Sequence, residues 1–306
     1  MARPLVELEH VTKKYGKFKA VDDASFKAGK GSILAVLGPN GAGKTTTFRC
    51  ILGLLKYAGN ITVDGMDSRN NGAGIRKIVG YLPQHSACYD DMTVRENLKY
   101  FAALKGVGKE RVSETLNLIR LEKFKDRKAV ALSGGMRQRL MLGISQLADP
   151  PILILDEPTA NLDVQGQLEF RTLLSKFLPK GKLVIISTHL LREAHEISLF
   201  HGNVLVFNNG KVIGTGGIDD FLAEFGLREH MMIDVNKNDP KKMIKTLKDI
   251  GFTDIEEKGG QIVLSCEREE KYKVLKTLND AGLDIGVFRV EEPSLESLFL
   301  KITGWD

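Results

Sequence analysis

Gly38-Pro39-Asn40-Gly41-Ala42-Gly43-Lys44-Thr45 has the spacing G-x-x-x-x-G-K-[ST] of a phosphate-binding loop. A triphosphate needs backbone N–H groups turned inward along a tight curve, and side chains on the inner wall would block the approach. Glycines at 38, 41 and 43 leave it open. Lys44 reaches the β- and γ-phosphates, and the Thr45 hydroxyl can ligate Mg²⁺. A helix opening near Lys44 points its positive end at the anion.

The flanks supply the setting that the motif requires. Ser32-Ile33-Leu34-Ala35-Val36-Leu37 reads as a buried strand and Thr45 to Leu55 as a helix. Leu5 to Phe26 alternates apolar and polar residues, which predicts antiparallel strands turning at Tyr15-Gly16-Lys17. Ile61 to Gly65 reads as a short strand and turn. From about Ser86 to Leu147 the pattern is mostly helical, with a capping box formed by Thr93 and Glu96. Pro151 to Asp156 and Leu183 to Ser187 are near-continuous apolar runs, as in parallel strands covered on both faces. Val164 to Phe177 is the crossover helix between them, and Asn209-Gly210 turns a hairpin.

The fold class that follows is α/β, a P-loop core with antiparallel β and helical subdomains. Residues 1–216 form this first domain, and 217–229 a linker with a short helix at Ile218 to Phe225. From about His230 the order strand, helix, strand, strand, helix, strand predicts a small α+β ferredoxin-like domain over 230–306. Its strands are Met231–Val235, Asp254–Glu257, Gln261–Ser265 and Asp284–Val290. Its helices are Pro240–Ile250 and Glu269–Ala281, and a last helix runs from Ser294 to Ile302 behind Pro293.

Composition narrows the class. The chain has 306 residues, 42% of them hydrophobic, enough for a sizeable core and two domains. No apolar run approaches the roughly 18 residues of a membrane span, and the first residues lack the apolar stretch of a signal peptide. These features predict a soluble protein that meets a membrane only through a partner. Cys50, Cys88 and Cys266 are scattered and odd in number, which fits a reducing cytosol. The net charge of +5 is spread along the chain, so no nucleic-acid partner is expected.

Asp156 and Glu157 end a buried strand, where ligands of open parallel sheets bind. Asp156 would hold Mg²⁺, directly or through water, and Glu157 would act as general base toward the attacking water. His189 ends the next strand, within reach of a γ-phosphate. Leu132-Ser133-Gly134-Gly135-Met136-Arg137-Gln138-Arg139 is the more telling segment. Ser133 caps a helix from about Met136 to Leu147, and Gly134 and Gly135 expose N–H groups at its start, a second anion grip. One phosphate loop rarely needs two grips; the second makes sense for a nucleotide held by another subunit.

With these residues the chain resembles the ATP-binding subunit of an ABC transporter over roughly residues 5 to 216. Tyr15 resembles the aromatic residue that stacks on adenine. Gly38 to Thr46, Thr46 included, match the Walker A loop, and Gln84 resembles the Q-loop glutamine linking Mg²⁺ to the membrane partner. Leu132 to Gln138 match the signature motif, Asp156 and Glu157 Walker B with its glutamate, Ala160-Asn161-Leu162-Asp163 the D-loop, and His189 the switch histidine. The resemblance implies that two such subunits, expected to be copies of this chain, sandwich ATP and Mg²⁺. Each ATP touches Walker A of one subunit and Ser133, Gly134, Gly135 and the D-loop Asp163 at the other. Closure would move integral membrane permease subunits through the surface near Gln84 and Tyr89 to Thr93, placing the chain peripherally on the cytoplasmic face.

The tail, Pro293 to Gly304, is similar to that of daunorubicin-resistance and sodium-efflux ATPases, which pair with separate ABC-2-type permeases. It implies export, with a dimerising or regulatory role for the last domain. Asn161 and Asn203 depart from the common pattern without removing a catalytic group. The competing reading is a soluble ABC ATPase of translation or DNA repair. The single ATP-binding half and the lack of a heptad run or CxxC argue against it, and Glu157 argues against a purely regulatory nucleotide switch. Importer tails are more often small β-barrels.

Overall fold

A computed structural model describes residues 3–85, 88–160, 162–176, 181–198, 202–217, 228–235, 239–267, 270–291 and 300. Within it, β3 (Ile33–Leu37) is buried at every position and lies between two parallel partners, β8 (Leu183–Thr188) and β9 (Asn203–Asn208). β7 (Ile152–Asp156) and β6 (Val79–Leu82) continue the parallel run beyond β8. β10 (Lys211–Gly216) closes the other edge, antiparallel to β9, in the order β10-β9-β3-β8-β7-β6. Strands covered on both faces need no polar alternation, which is why β3 and β7 are unbroken apolar runs. Their parallel direction sends the loops after β3, β6, β7 and β8 to one edge of the sheet.

A second, antiparallel sheet joins β1 (Val6–Tyr15), β2 (Phe18–Ala28), β4 (Ala58–Val63) and β5 (Met66–Asp67) in the order β2-β1-β4-β5. Its inward residues, among them Val6, Leu8, Val21 and Phe26, share one core with Val36, Ile154 and Ile185 of the parallel sheet. Phe48 and Ile51 of α1 (Lys44–Ile51) complete that core. The helical part carries α3 (Val94–Lys105), α4 (Glu110–Leu118) and α5 (Gly134–Gln146). Thr93 and Glu96 form the expected capping box on α3. α6 (Val164–Leu174) crosses from β7 to β8, and α7 (Leu191–Ser198) follows β8.

Some elements differ from the sequence expectation. α1 stops at Ile51 because Gly53, at φ 65°, closes it: Gly53 N–H donates to Cys50 O and Leu54 N–H to Arg49 O. That pair of bonds is a Schellman ending. β6 and α2 (Gly72–Ile78) were not expected. A four-residue strand containing glycine and ending at a proline carries almost no periodic signal, and β6 is defined by pairing with β7.

The described residues divide into two compact units, Met1–Ile218 and Asp219–Asp306. The second has β11 (Glu229–Asp234), α8 (Pro240–Asp249), β12 (Ile255–Lys258), β13 (Gln261–Cys266), α9 (Lys271–Asp280) and β14 (Phe288–Glu291). The antiparallel order β12-β13-β11-β14 is the split βαβ arrangement. Met231, Ile233, Ile262 and Leu264 of its sheet pack with Met243, Leu247, Val274 and Leu278 of its helices. β14 is shorter than Asp284–Val290, since pairing with β11 starts only at Phe288. The helices expected at 218–225 and 294–302 lie outside the described residues, save Leu300 in the second.

Candidate active site

The loop after β3 wraps back on its own lysine. Lys44 Nζ donates to Gly38 O at 2.6 Å and Pro39 O at 3.1 Å, and only 5% of Lys44 is exposed. Burial pushes the amine below the ordinary lysine value, and the nearby Glu157 carboxylate opposes that shift. The glycines work differently from the expectation that all three clear space for phosphate. A Cβ at Gly38 would stand 2.3 Å from Phe207 O, and one at Gly43 2.3 Å from Ala20 O. These two let the back of the loop press against neighbouring backbone. Gly41, at φ 82° with nothing within 4 Å of its Cβ position, is the one that faces open space.

Three side chains from other segments converge on Glu157, just past β7. Lys44 Nζ lies 3.4 Å from its Oε1. Gln84, just past β6, donates from Nε2 to Oε2 at 3.1 Å, and His189 Nδ1, just past β8, lies 3.4 Å from the same oxygen. Glu157 itself sits in the left-handed region at φ 46°, a strained geometry for a long side chain. Its backbone N–H donates to Ser187 Oγ at 2.9 Å. The Ser187 hydroxyl in turn donates to Asp156 Oδ1 at 2.6 Å, and Tyr81 O–H reaches Asp156 Oδ2 at 3.4 Å. Asp156 is fully buried. Burial, then the charge of Asp156, raises the Tyr81 phenol well above its ordinary value.

A cleft of about 310 Å³ opens in front of these groups. Asn40, Gly41, Ala42, Gly43, Lys44, Thr45 and Thr46 line it with Gln84 and Glu157. Tyr15 stands at its rim with Phe18, its partner across the β1–β2 turn. Ser133, Gly134, Gly135 and Asp163 are elsewhere, around a second concavity of about 490 Å³. Ser133 Oγ accepts Met136 N–H at 3.3 Å and caps α5. Asp163 Oδ1 accepts Gly166 N–H at 2.8 Å and caps α6. Two helix N-termini therefore face this concavity, as a second anion grip would need.

Sequence reading passed over Phe18, Ser187 and Tyr81 as site residues. Phe18 looks like any strand residue until the turn puts it opposite Tyr15. Ser187 and Tyr81 face Asp156 only because β8 and β6 flank β7.

The donor set would suit Mg²⁺ with a nucleotide: Thr45 and Gln84 bring hard oxygen atoms to the cleft, and the Asp156 carboxylate is fully buried and not among the residues lining it. Among the described residues no group of three or more His, Cys, Asp or Glu could hold a metal. A cation bound by one carboxylate and phosphate oxygens needs none. No described helix is long and apolar enough to cross a membrane.

The family profile for ABC transporters matches residues 21–160. Daunorubicin resistance ATP-binding protein DrrA3 of Streptomyces coeruleorubidus is 32% identical over 100% of this chain and 98% of its own length. Nod factor export ATP-binding protein I of Ralstonia nicotianae is 31% identical over 98% of this chain and 94% of its own. Among solved structures, a dimeric, post-hydrolysis ATP-binding cassette, MJ0796, bound to ADP and Pi, superposes with a TM-score of 0.63 at 26% identity. It covers 70% of this chain and 98% of that one. These relatives set aside the translation or repair reading. Its sequence relatives, its P-loop sheet and its convergent strand ends agree: the chain belongs to the ABC transporter family, as an ATP-hydrolysing, ATP-binding subunit of the export type.

Proposed function

We propose that this chain hydrolyses Mg-ATP between two copies of itself and drives a separate ABC-2-type permease from the cytoplasmic face of the membrane. The observation that carries the reading is the Glu157 carboxylate, which has Lys44, Gln84 and His189 within 3.4 Å. Glu157 takes the proton of the attacking water, and His189 orients that water. Lys44 and the loop N–H groups of Gly41 to Thr45 bind the β- and γ-phosphates. Tyr15 carries the adenine ring. Thr45, Gln84 and Asp156 would hold Mg²⁺, which supplies charge neutralisation at the phosphate oxygens. Ser133, Gly134 and Gly135, with Asp163, would meet the γ-phosphate held by the partner copy.

Tagged Glu157→Gln chain is to be captured with ATP from detergent-solubilised native membranes. Co-purification of a polytopic membrane protein is expected. Recovery of soluble partners alone would overturn the permease assignment. The closed state must bind ATP better than the open one for such coupling to work.

A further inference from the structure

Glu193 is a carboxylate only 9% exposed, in the first turn of α7. A buried carboxylate is costly unless its oxygens are hydrogen-bonded. Both of its oxygens are used. Thr159 Oγ1 donates to Oε1, and Thr188 Oγ1 donates to Oε2 at 2.6 Å. The two threonines are 1% and 2% exposed.

Each threonine also fixes a turn beside a site residue. Thr159 is two residues after Glu157, and its carbonyl accepts Leu162 N–H at 3.1 Å. Thr188 directly precedes His189, and its hydroxyl accepts Leu190 N–H at 2.9 Å while donating to Glu193. One carboxylate therefore bridges the turn that follows Glu157 and the turn that carries His189. β7 and β8 already hold the strand ends in register up to Asp156 and Ser187. Beyond that pair the β7–β8 ladder stops, while Thr188 stays paired with Leu37 of β3 and Glu157 N–H with Ser187 Oγ, and the Glu193 bridge adds the tie between the two turns.

We propose that Glu193 is a positioning residue for hydrolysis, tying the segment after Glu157 to the switch segment so that Glu157 and His189 keep their 3.4 Å approach. It acts through Thr159 and Thr188 and is not among the residues lining the cleft. The inference rests on Glu157 and His189 being the hydrolytic pair. It requires the two segments to loosen together when the bridge is cut, with nucleotide affinity left to the loop after β3.

Glu193→Leu, Thr188→Val and Thr188→Ser variants of the whole chain test it, with Glu157→Gln as the low-turnover reference. Hydrogen–deuterium exchange is read without nucleotide, and kcat and KM for ATP with it. Glu193→Leu should raise exchange about tenfold in residues 158–166 and 188–194 together, leaving α3 and β13 as in the wild type. Its kcat should fall about tenfold to a hundredfold, with KM within about twofold. Thr188→Val should do the same and Thr188→Ser should recover the wild-type values. Should the leucine variant fail to fold, the nearly isosteric valine variant decides. Faster exchange in one segment only, or everywhere alike, or a kcat equal to wild type, overturns the bridge. Turnover by Glu157→Gln near the wild-type rate would instead remove the general-base assignment, while the exchange result still judges the bridge.

Discussion

Lys44 Nζ and Glu157 Oε1 stand 3.4 Å apart, the amine from the loop after β3 and the carboxylate from the end of β7, with β8 between the two strands. Nothing local joins them; 112 residues of chain lie between positions 44 and 157. Only the parallel order of the sheet brings this amine and this carboxylate to one edge. Gln84 and His189 reach the other oxygen of the same carboxylate from two further strand ends.

Glu157→Gln keeps the side-chain shape and its hydrogen-bonding reach but removes the base. Turnover is expected to fall by about 10² to 10⁴, with ATP affinity near wild type. The ATP-bound variant should run as a dimer in light scattering. A variant that stays monomeric at saturating ATP would falsify the sandwich arrangement.

Lys44→Met separates binding from stability. Burial lowers the Lys44 pKa in the folded chain despite Glu157, so the folded state binds fewer protons than the unfolded one between that lowered value and the ordinary 10.5. Stability contributed by this group therefore rises with pH across that window and is lowest below it. At pH 7 Lys44→Met should abolish ATP binding yet raise the melting temperature of the nucleotide-free chain by about 2 °C. That advantage should shrink as pH approaches 10.5. A lower melting temperature for the variant at pH 7 would show that the Glu157 and carbonyl contacts outweigh desolvation.

The motifs were legible because each is a contiguous run whose spelling follows from backbone demands: a glycine-rich curve, a capping serine, acids at a strand end. Apolar runs likewise marked β3, β7 and β8, and alternation marked β1 and β2. Strand β6 was not legible, because its four residues are a strand only beside β7. Ser187, Tyr81 and Glu193 escaped for a related reason. Each is an ordinary polar residue in its own segment, and its role lies in a contact across the sheet edge.

Phe18 is 64% exposed and Tyr15 48%, with Lys13 Nζ 4.8 Å from the centre of the Tyr15 ring. Two exposed aromatics at the rim of the cleft would offer a stacking surface to a purine under the proposed function. Base–aromatic stacking is worth about 1–3 kcal/mol per base. Tyr15→Ala should therefore raise KM for ATP about fivefold or more, and Phe18→Ala by a smaller factor, with kcat little changed. Tyr15→Phe should be silent. A KM unchanged in both alanine variants would assign these rings to another surface role.

The loop glycines differ in what an added methyl would strike, and the difference can be measured. At Gly43, φ is 108° and a Cβ would lie 2.3 Å from Ala20 O, a backbone atom of β2 that cannot swing aside. Gly43→Ala should cost roughly 3 kcal/mol or more, from strain and displaced backbone together. At Gly41, φ is 82° but the Cβ position is clear, so Gly41→Ala carries conformational strain alone, about 1–2 kcal/mol. Its methyl enters the space where phosphate would sit. Thermal melts should thus rank wild type above Gly41→Ala and Gly41→Ala above Gly43→Ala, while ATP binding is lost in both. Strong ATP binding by a folded Gly41→Ala chain would mean that the open side of the loop is not the side that meets the triphosphate.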